Sequence, residues 1–388
     1  MRKMEQYEYN DRLVFLGDYF DYDAALHKNF LVNFYPCDTT VEIYDQNLNR
    51  IFLKRSFCDD LTMKDMFVGN KIRVYGRQIL LTDYGDCVTK NRVGKSKEHT
   101  FAIIKPGAIC KLGEILTQIE ERQFQICHLR MCHLSRIQAL DFYEFKKGDP
   151  LLPTMLEHIV SGPFVALELV GDNAIQRWRS EIGPKDPTEG RKIAPESLRA
   201  LYGIDSASNG LHGSDNRDTA VRNTCYFFPK GIDKKQPFGT CQINNSTCCL
   251  VKPHAIKEGK LGPIITAIMN NPKFKITAMQ MFYITTPNAD EFLEVYKGIV
   301  HDFHAMLLSY LDGPLVAFEI SANVEGINTY QEFRTFAGPS DSDVARQIRP
   351  NSLRAIFGVS KYFNAIHCTD LEDDTKLELE YFFKILND

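Results

Sequence analysis

The sequence predicts a mixed α/β protein in which one domain is present twice, behind a smaller β-rich domain. Three observations predict this architecture: a length of 388 residues, an average globular composition, and a repeat of about 150 residues. Since one domain usually holds about 100–200 residues, this length predicts two or three domains. A composition of 44% hydrophobic and 25% charged residues excludes a disordered chain, a collagen and a coiled coil.

The repeat consists of short motifs that recur at a nearly constant distance. Ser-Leu-Arg-Ala at 197–200 recurs at 352–355, and Tyr-Phe-Phe at 226–228 recurs at 381–383, in both cases 155 residues later. Lys-Pro at 105–106 recurs at 252–253, after 147 residues. A period near 150 residues indicates a duplicated domain, since solenoid repeats are much shorter. Single residues that match at the offset of 155 are Arg179 with Arg334, Asn209 with Asn364, and His212 with His367.

The repeat divides the chain into four segments. Residues 1–92 lie before it, the first copy spans 98–229, a linker spans 230–247, and the second copy spans 248–385. We call the two repeated segments copy A and copy B. The linker contains glycine, proline and asparagine residues that favour turns, and it shows no apolar periodicity.

Each copy is predicted to alternate strands with helices. An apolar strand comes first, at 100–105 in copy A and at 248–252 in copy B. In copy A a helix then carries apolar residues at 112, 115, 116 and 119, a strand follows at 124–133, and a helix begins behind Ser135 as its N-cap. A buried strand is predicted at 164–170, with its counterpart at 315–320. This order predicts a ferredoxin-like α/β sandwich with a mainly antiparallel sheet.

The first 92 residues predict a small β-rich, barrel-like domain. Short strands are expected at 30–35, 40–44, 50–54, 71–75 and 78–81, with a hairpin turn at 46–49. One helix is expected at 62–67.

Charge and cysteine content limit the class of protein. The 46 basic and 50 acidic side chains leave a net charge of −4, without a block of five like charges, so we expect neither nucleic acid nor membrane as a partner. No apolar run approaches the roughly 18–20 residues that span a bilayer, and no secretory signal is visible at the start. The 11 cysteines include no C-x-x-C pair, which predicts reduced thiols in a soluble intracellular protein and argues against a structural zinc site.

The repeated polar residues point to phosphate chemistry. No Walker P-loop and no G-x-G-x-x-G occurs, so phosphate binding would depend on side chains. Each copy has one lysine and two arginines in matching places, and arginine's planar fork fits phosphate oxygens. Each also has a histidine in a repeated polar context, and a neutral imidazole near pH 7 is a competent nucleophile. These residues are Lys105, Arg179, Arg199 and His212 in copy A, and Lys252, Arg334, Arg354 and His367 in copy B.

At these residues the chain resembles the nucleoside diphosphate kinases. The motifs are Lys-Pro after the first strand, Ser-Gly-Pro at 161–163 before the third, and Asn-x-x-His-Gly-Ser-Asp at 209–215. The resemblance covers both copies, nearly 290 residues. It implies ping-pong transfer of the terminal phosphate of ATP or another nucleoside triphosphate to a nucleoside diphosphate. A phosphohistidine would be the intermediate, and Mg²⁺ would be held by the nucleotide's phosphates and not by the protein.

In copy A the resemblance makes His212 the phosphate carrier. Leu151 stands where the family stacks a phenylalanine on the base, and Lys185 stands where it has a phosphate-binding threonine. Asn223 replaces a glutamate that orients the imidazole, and as an asparagine it could still accept the ring N–H bond. The residues that would hold phosphates and ribose are Lys105, Tyr143, Arg179, Arg199 and Asn209.

In copy B the corresponding carrier is His367, and Glu378 is the orienting glutamate. Cys368 replaces a glycine beside the histidine, and its Cβ is expected to crowd the approaching phosphate. For this reason copy A is expected to be the better enzyme. The other nucleotide-binding residues of copy B are Lys252, Tyr296, Arg334, Ser340, Arg354 and Asn364.

The N-terminal segments 52–55, 68–71 and 74–86 resemble a DM-ten domain, a module of ciliary axoneme proteins. The resemblance implies a cytoskeletal protein on the inner wall of axonemal doublets and at γ-tubulin complexes of centrosomes and spindles, with tubulin and axonemal proteins as partners. An alternative function is a structural microtubule scaffold or nucleotide sensor with little or no turnover. Because the linked copies can pair with each other, we expect a monomer within a larger assembly.

Overall fold

Two units make up the chain, Met1–Glu98 and His99–Asp388. The computed structural model describes residues 7–22, 24–59, 61–94, 97–229 and 239–387. None of the helices described there is long and apolar enough to cross a lipid bilayer.

The first unit is a curled sheet of six antiparallel strands, in the order β4-β3-β2-β1-β6-β5. Apolar side chains on one face form its core, among them Phe15, Phe30 and Ile79, none of which is exposed. The hydroxyl of Tyr75 donates to the carbonyl of Phe57 at 2.6 Å and links the ends of the two edge strands. The elements are β1 (Leu13–Asp21), β2 (Leu26–Tyr35), β3 (Thr40–Asp45), β4 (Arg50–Phe57), β5 (Lys71–Val74), β6 (Arg77–Tyr84) and α1 (Cys87–Val93).

Five predicted strands and the hairpin turn at 46–49 are present in this unit, while three details differ from the prediction. Strand β1 and helix α1 were not predicted, and the helix predicted at 62–67 is wrong. Its place is taken by a turn in which the Asp65 carboxylate accepts hydrogen bonds from the backbone N–H and the hydroxyl of Thr62, at 2.9 and 2.8 Å. Such local side-chain bonds compete with helix formation.

Copy A has the predicted ferredoxin-like order of strands. Its four strands lie in the order β10-β7-β9-β8, so the first and third strands are central. Ser135 caps α3 as predicted, since its hydroxyl accepts from Gln138 N at 3.3 Å. The elements are β7 (Glu98–Ile104), α2 (Leu112–Glu121), β8 (Gln125–Cys132), α3 (Arg136–Phe142), α4 (Leu152–Ile159), β9 (Phe164–Gly171), α5 (Ala174–Ile182), α6 (Pro187–Ile193), α7 (Leu198–Tyr202), β10 (Leu211–Gly213) and α8 (Arg217–Phe227).

Copy B repeats this topology with strand order β12-β13-β11-β14. Its first strand starts at Ser246, two residues before the predicted boundary at 248. The elements are β11 (Ser246–Val251), α9 (Pro253–Lys257), α10 (Leu261–Met269), β12 (Phe274–Phe282), α11 (Thr286–Phe292), α12 (Phe303–Leu311), β13 (Leu315–Ala322), α13 (Thr329–Ala337), α14 (Ser342–Ile348), α15 (Leu353–Phe357), β14 (Ile366–Cys368) and α16 (Asp374–Phe383).

The two copies share one eight-stranded sheet, which is continuous because β8 lies beside β12. On one face of the sheet, α2 packs closely against α10 at two glycines. A Cβ atom on Gly113 would lie 2.3 Å from Thr266 Oγ1, and one on Gly262 would lie 2.3 Å from Thr117 Oγ1. The absence of a side chain at both glycines therefore lets the two helix backbones approach each other.

Of the predicted linker, residues 230–238 lie outside the described residues, and 246–247 belong to β11. The remaining part, 239–245, is fixed to copy B by a buried carboxylate. Glu319 accepts from Ile243 N at 2.6 Å and from Gln242 N at 3.1 Å. Its side chain also accepts from the hydroxyls of Ser246 at 2.9 Å and Thr277 at 2.7 Å. This carboxylate thus satisfies the backbone donors of a segment that has no regular structure of its own.

Candidate active site

A cleft of about 600 Å³ opens in copy A. Its walls come from the end of β7, the segment between α3 and α4, the helices α5 and α7, and both ends of β10. Seven of the nine residues assigned to copy A from the sequence line it: Lys105, Leu151, Arg179, Lys185, Arg199, Asn209 and His212.

Lys105 stands where β7 ends, and Pro106 begins a short 3₁₀ turn behind it. The side chain is buried, and its Nζ donates to Asn209 Oδ1 at 2.8 Å and to the Ala207 carbonyl at 3.4 Å. Asn209 in turn donates from Nδ2 to the Lys185 carbonyl at 3.1 Å. These bonds hold the ammonium group at the cleft and connect three of the predicted residues.

Arg199 is held by backbone carbonyls on both sides of the cleft. It lies on α7, and its Nε and Nη2 donate to the Leu211 carbonyl at 3.1 and 3.0 Å. Its Nη1 donates to the Gly183 carbonyl at 2.8 Å. Because Leu211 directly precedes His212, this guanidinium also fixes the strand that carries the histidine.

His212 occupies the middle of the three-residue edge strand β10. Its carbonyl accepts from Trp178 Nε1 at 3.2 Å. Trp178 packs so close to the next residue that a Cβ on Gly213 would lie 2.6 Å from its ring. The glycine after the histidine is therefore required by packing against tryptophan.

Burial and the charges around His212 keep its imidazole neutral. Burial is the largest cause that lowers its pKa well below the usual value, and Lys105, Lys146 and Arg199 act in the same direction. Burial, followed by the charges of Arg199 and Lys146, also lowers the pKa of Lys105 to about 7. A neutral imidazole beside several cations is suited to nucleophilic attack on a phosphate.

The expected hydrogen bond between Asn223 and the imidazole is not formed. Asn223 donates from Nδ2 to Ser214 Oγ at 3.1 Å, while its Oδ1 and the Nε2 of His212 are both buried without a hydrogen-bond partner. Asparagine is one methylene shorter than glutamate, which explains why this side chain ends at the serine. The prediction that Asn223 orients the histidine is therefore wrong for the structure described.

Tyr143 and Lys146 also differ from the sequence-based assignment. Tyr143 is 1% exposed and does not line the cleft, and burial raises the pKa of its phenol. Lys146, three residues further along a 3₁₀ turn, lines the cleft instead, although the sequence analysis did not select it. Helices α3 and α11 and the 3₁₀ turns behind them match at an offset of 150, which places Tyr296 opposite Lys146, so the repeat gave no signal for a lysine at this position.

Copy B builds a similar framework around its own lysine and arginine. Lys252 is buried, and its Nζ donates to the Tyr362 carbonyl at 3.0 Å. Arg354 donates to the carbonyls of Ile366 and Gly338 at 3.2 and 2.8 Å, as Arg199 does in copy A. Asn364 donates to the Ser340 carbonyl at 2.8 Å, which repeats the bond between Asn209 and Lys185.

The histidine of copy B has the carboxylate partner that copy A lacks. His367 Nε2 lies 3.0 Å from both oxygens of Glu378, and this carboxylate also accepts from the Thr369 hydroxyl at 2.8 Å. The imidazole is only 4% exposed. Each copy therefore has one feature that favours catalysis: the cationic cleft in copy A and the oriented imidazole in copy B.

In copy B, two of the predicted phosphate-binding side chains are hydrogen-bonded to the carboxylate of Asp370. Arg334 donates to this carboxylate at 2.5 Å, and the Tyr296 hydroxyl also donates to it. Burial alone would raise the pKa of Asp370, but the bond from Tyr296 and the nearby His367 and Arg334 lower it overall. In copy A the matching pair is looser, since Arg179 and Asp215 are 3.6 Å apart and both are more than half exposed.

The expected crowding by Cys368 is wrong. Successive side chains of a strand point to opposite faces, and Cys368 lies in the core shared with Phe333, away from His367. Phe333 stands where copy A has Trp178, and this smaller ring leaves room for the cysteine. The pair of tryptophan and glycine in copy A is thus exchanged for phenylalanine and cysteine in copy B.

The part of the chain that the structure describes contains no group of three or more His, Cys, Asp or Glu side chains that could hold a metal ion.

Comparison with known proteins identifies relatives of both copies. The nucleoside diphosphate kinase family matches residues 98–232 and 245–387. The chain is 43% identical over 378 residues to nucleoside diphosphate kinase homolog 7 of Rattus norvegicus and of Mus musculus, covering 97% of this chain and 94% of each relative. It is 40% identical over 133 residues to the nucleoside diphosphate kinase of Aquifex aeolicus, covering 34% of this chain and 94% of that protein.

Proposed function

Since the chain belongs to the nucleoside diphosphate kinase family, we propose that copy A transfers the terminal phosphate of a nucleoside triphosphate to a nucleoside diphosphate through His212. The observation that carries this proposal is the neutral imidazole of His212 in a cleft lined by five cationic side chains. These cations are Lys105, Lys146, Arg179, Lys185 and Arg199.

The chemistry follows from which ring nitrogen is available. Nε2 of His212 is buried, so Nδ1 is the nitrogen on the cleft side. Its lone pair forms a bond to the terminal phosphorus, the bond to the bridging oxygen breaks, and the diphosphate leaves. A second diphosphate then takes the phosphoryl group from Nδ1 in the reverse of this step. Mg²⁺ bound to the nucleotide would neutralise part of the phosphate charge.

The cations of the cleft would supply the remaining stabilisation. Phosphoryl transfer passes through a loose transition state, so positioning and charge neutralisation matter more than acid–base chemistry. Lys105 and Arg199 are fixed by hydrogen bonds before any ligand binds, so little reorganisation is needed. Arg179 and Lys185 stand at the more open part of the cleft, where the leaving diphosphate would lie.

We propose that copy B turns over more slowly than copy A. Arg334, one of its expected phosphate ligands, is bonded to Asp370, and His367 is almost fully buried. A phosphate would have to displace this carboxylate and open the site before it reached the histidine.

The test is incubation of the full chain with γ-labelled ATP, beside the variants His212→Gln and His367→Gln. We expect acid-labile, base-stable label on the protein, loss of most label in His212→Gln, and transfer of the label to added GDP. His367→Gln is the matched control and should keep most of the label. Equal labelling of wild type and His212→Gln would contradict the assignment.

We also propose that the chain binds microtubules, on the inner wall of axonemal doublets and at γ-tubulin complexes. What supports this is the DM-ten-like sequence of residues 52–86 and identity with homolog 7 that extends over 97% of the chain. Co-sedimentation of the full chain with doublet microtubules tests it, and the double variant His212→Gln, His367→Gln should bind equally well. No binding of either protein would contradict the proposal.

A further inference from the structure

The cleft of copy A offers little to hold a nucleotide base. Among its described lining residues there is no phenylalanine, tyrosine or tryptophan. Leu151, at the position expected to contact the base, is 53% exposed. Stacking of a base on an aromatic side chain is typically worth about tenfold or more in affinity. A ligand without a base therefore loses less binding affinity in this cleft than it would in a cleft with an aromatic side chain for stacking.

The same cleft has an excess of positive charge that suits phosphates. Five cationic side chains line it against two carboxylates, Asp149 and Asp215. Within the described part of the chain, neither Lys146 nor Lys185 forms an ion pair with a carboxylate. The repeat places Tyr296 and Ser340 at the matching positions of copy B, so both lysines are specific to copy A.

The five cations act on one another, which shows that they share a small space. Burial, followed by the charge of Lys185, lowers the pKa of Lys146; Arg199 acts in the same direction, while Asp215 and Asp149 act against it. Lys146 and Lys185 also lower the pKa of His212. A chain of phosphates that entered this space would relieve their mutual repulsion, because it carries several negative charges along its length.

We propose that copy A accepts inorganic triphosphate, or a longer linear polyphosphate, as a phosphoryl donor to His212. This inference rests on the proposed function of His212 and extends its substrate class from nucleotides to phosphate chains without a base. Nδ1 of His212 forms the bond to a terminal phosphorus, the bond from that phosphorus to the bridging oxygen breaks, and pyrophosphate leaves with the electron pair. The phosphoryl group then passes to a nucleoside diphosphate.

The experiment compares two donors on the same full chain. The magnesium salts of terminally labelled inorganic triphosphate and of γ-labelled ATP are each incubated with the protein, and the initial rate of acid-labile labelling is measured. We expect the rate with triphosphate to be within about tenfold of the rate with ATP, since the base contributes so little. His212→Gln should remove most of the labelling by both donors.

Variants at the two added lysines test the physical reason. Lys146→Gln and Lys185→Ser should each reduce labelling by triphosphate roughly tenfold, because each removes one charge-assisted contact with the phosphate chain. We expect a smaller effect with ATP, which also keeps the contacts of its ribose. Lys147→Gln is the matched control, since Lys147 is exposed and does not line the cleft.

The outcomes separate this inference from the function on which it rests. Labelling by ATP without detectable labelling by triphosphate would overturn the inference and leave the kinase proposal intact. Absence of labelling by either donor would overturn both. Equal loss in Lys146→Gln and Lys147→Gln would show that the added lysine of the cleft has no special role, which contradicts the argument from charge.

Discussion

Asn223 is the residue that most clearly separates the histidine site of copy A from that of copy B. It leaves Nε2 of His212 and its own Oδ1 without hydrogen bonds inside the protein. A buried polar atom without a partner costs free energy, and an imidazole without a second contact is less well oriented. Copy B shows the alternative within the same chain, since Glu378 holds His367 through Nε2.

We therefore predict that Asn223→Glu activates copy A. The longer side chain would bring a carboxylate to Nε2 of His212, and a charge-assisted hydrogen bond of about 1.5–3 kcal/mol would orient the ring and support its phosphorylated form. The rate of labelling by ATP should rise roughly tenfold or more. Glu378→Asn is the reciprocal variant and should slow any labelling of His367. An unchanged rate in Asn223→Glu would show that orientation does not limit copy A.

The lowered pKa of Lys105 predicts that nucleotide affinity depends on pH. With a pKa of about 7, this lysine is protonated below neutrality and loses its charge as the pH rises. A bound phosphate favours the charged form, so the Kd for ADP should increase above pH 7, by up to about tenfold per pH unit. Calorimetric titration from pH 6 to 9 at fixed ionic strength measures this. Lys105→Arg should remove most of the dependence, and an identical slope in that variant would assign it to another group.

At the scale of elements, the contact between α2 and α10 decides how the copies are joined. The two helices meet at Gly113 and Gly262, where backbone atoms leave no space for a side chain. Helix α2 also buries Ile115, Leu116 and Ile119 in the core shared by both copies. A helix that looks like an ordinary amphipathic segment therefore also forms the interface between the duplicated domains.

Gly113→Ala tests this contact. The added Cβ would lie 2.3 Å from Thr266 Oγ1 and 2.6 Å from the Gly262 carbonyl, so the helices must shift apart. We expect a loss of about 1–3 kcal/mol in the free energy of unfolding, measured by urea denaturation. Gly162→Ala is the control, because its nearest neighbour would be Pro106 at an ordinary 3.7 Å. Equal stability of the two variants would contradict close packing at the interface.

At the scale of the whole molecule, the chain contains two units with separate cores. The core of Met1–Glu98 includes Phe30 and Ile79, whereas copies A and B share a continuous sheet and a common core. Units with their own cores unfold as separate cooperative transitions, while elements that share a core unfold together. The duplicated domains should thus behave as one thermodynamic body.

We predict two unfolding transitions for the full chain in differential scanning calorimetry. Ile79→Val, which removes one buried methyl group from the first unit, should lower only the Tm of one transition, by about 4–8 °C for a loss near 1 kcal/mol. Ile264→Val, at the fully buried face of α10, should lower only the other. Three transitions, or a shift of both by one variant, would contradict this division.

The amino-acid sequence alone predicts the duplication and the alternation of strands and helices. Of the nine site residues that it predicts for copy A, seven line the cleft. These features are local: a repeated motif fixes equivalent positions, and apolar periodicity fixes which face is buried.

Other features of the site arise only in the folded protein. The position of Cys368 depends on the size of the residue at 333, far away in sequence. Lys146 lines the cleft because it lies in a 3₁₀ turn. The hydrogen-bond partners of Asn223 and Asp370 depend on the length of each side chain and on the atoms within its reach. Such hydrogen bonds, packing contacts and interactions between charges exist only in the folded chain, because they join residues that no sequence pattern connects.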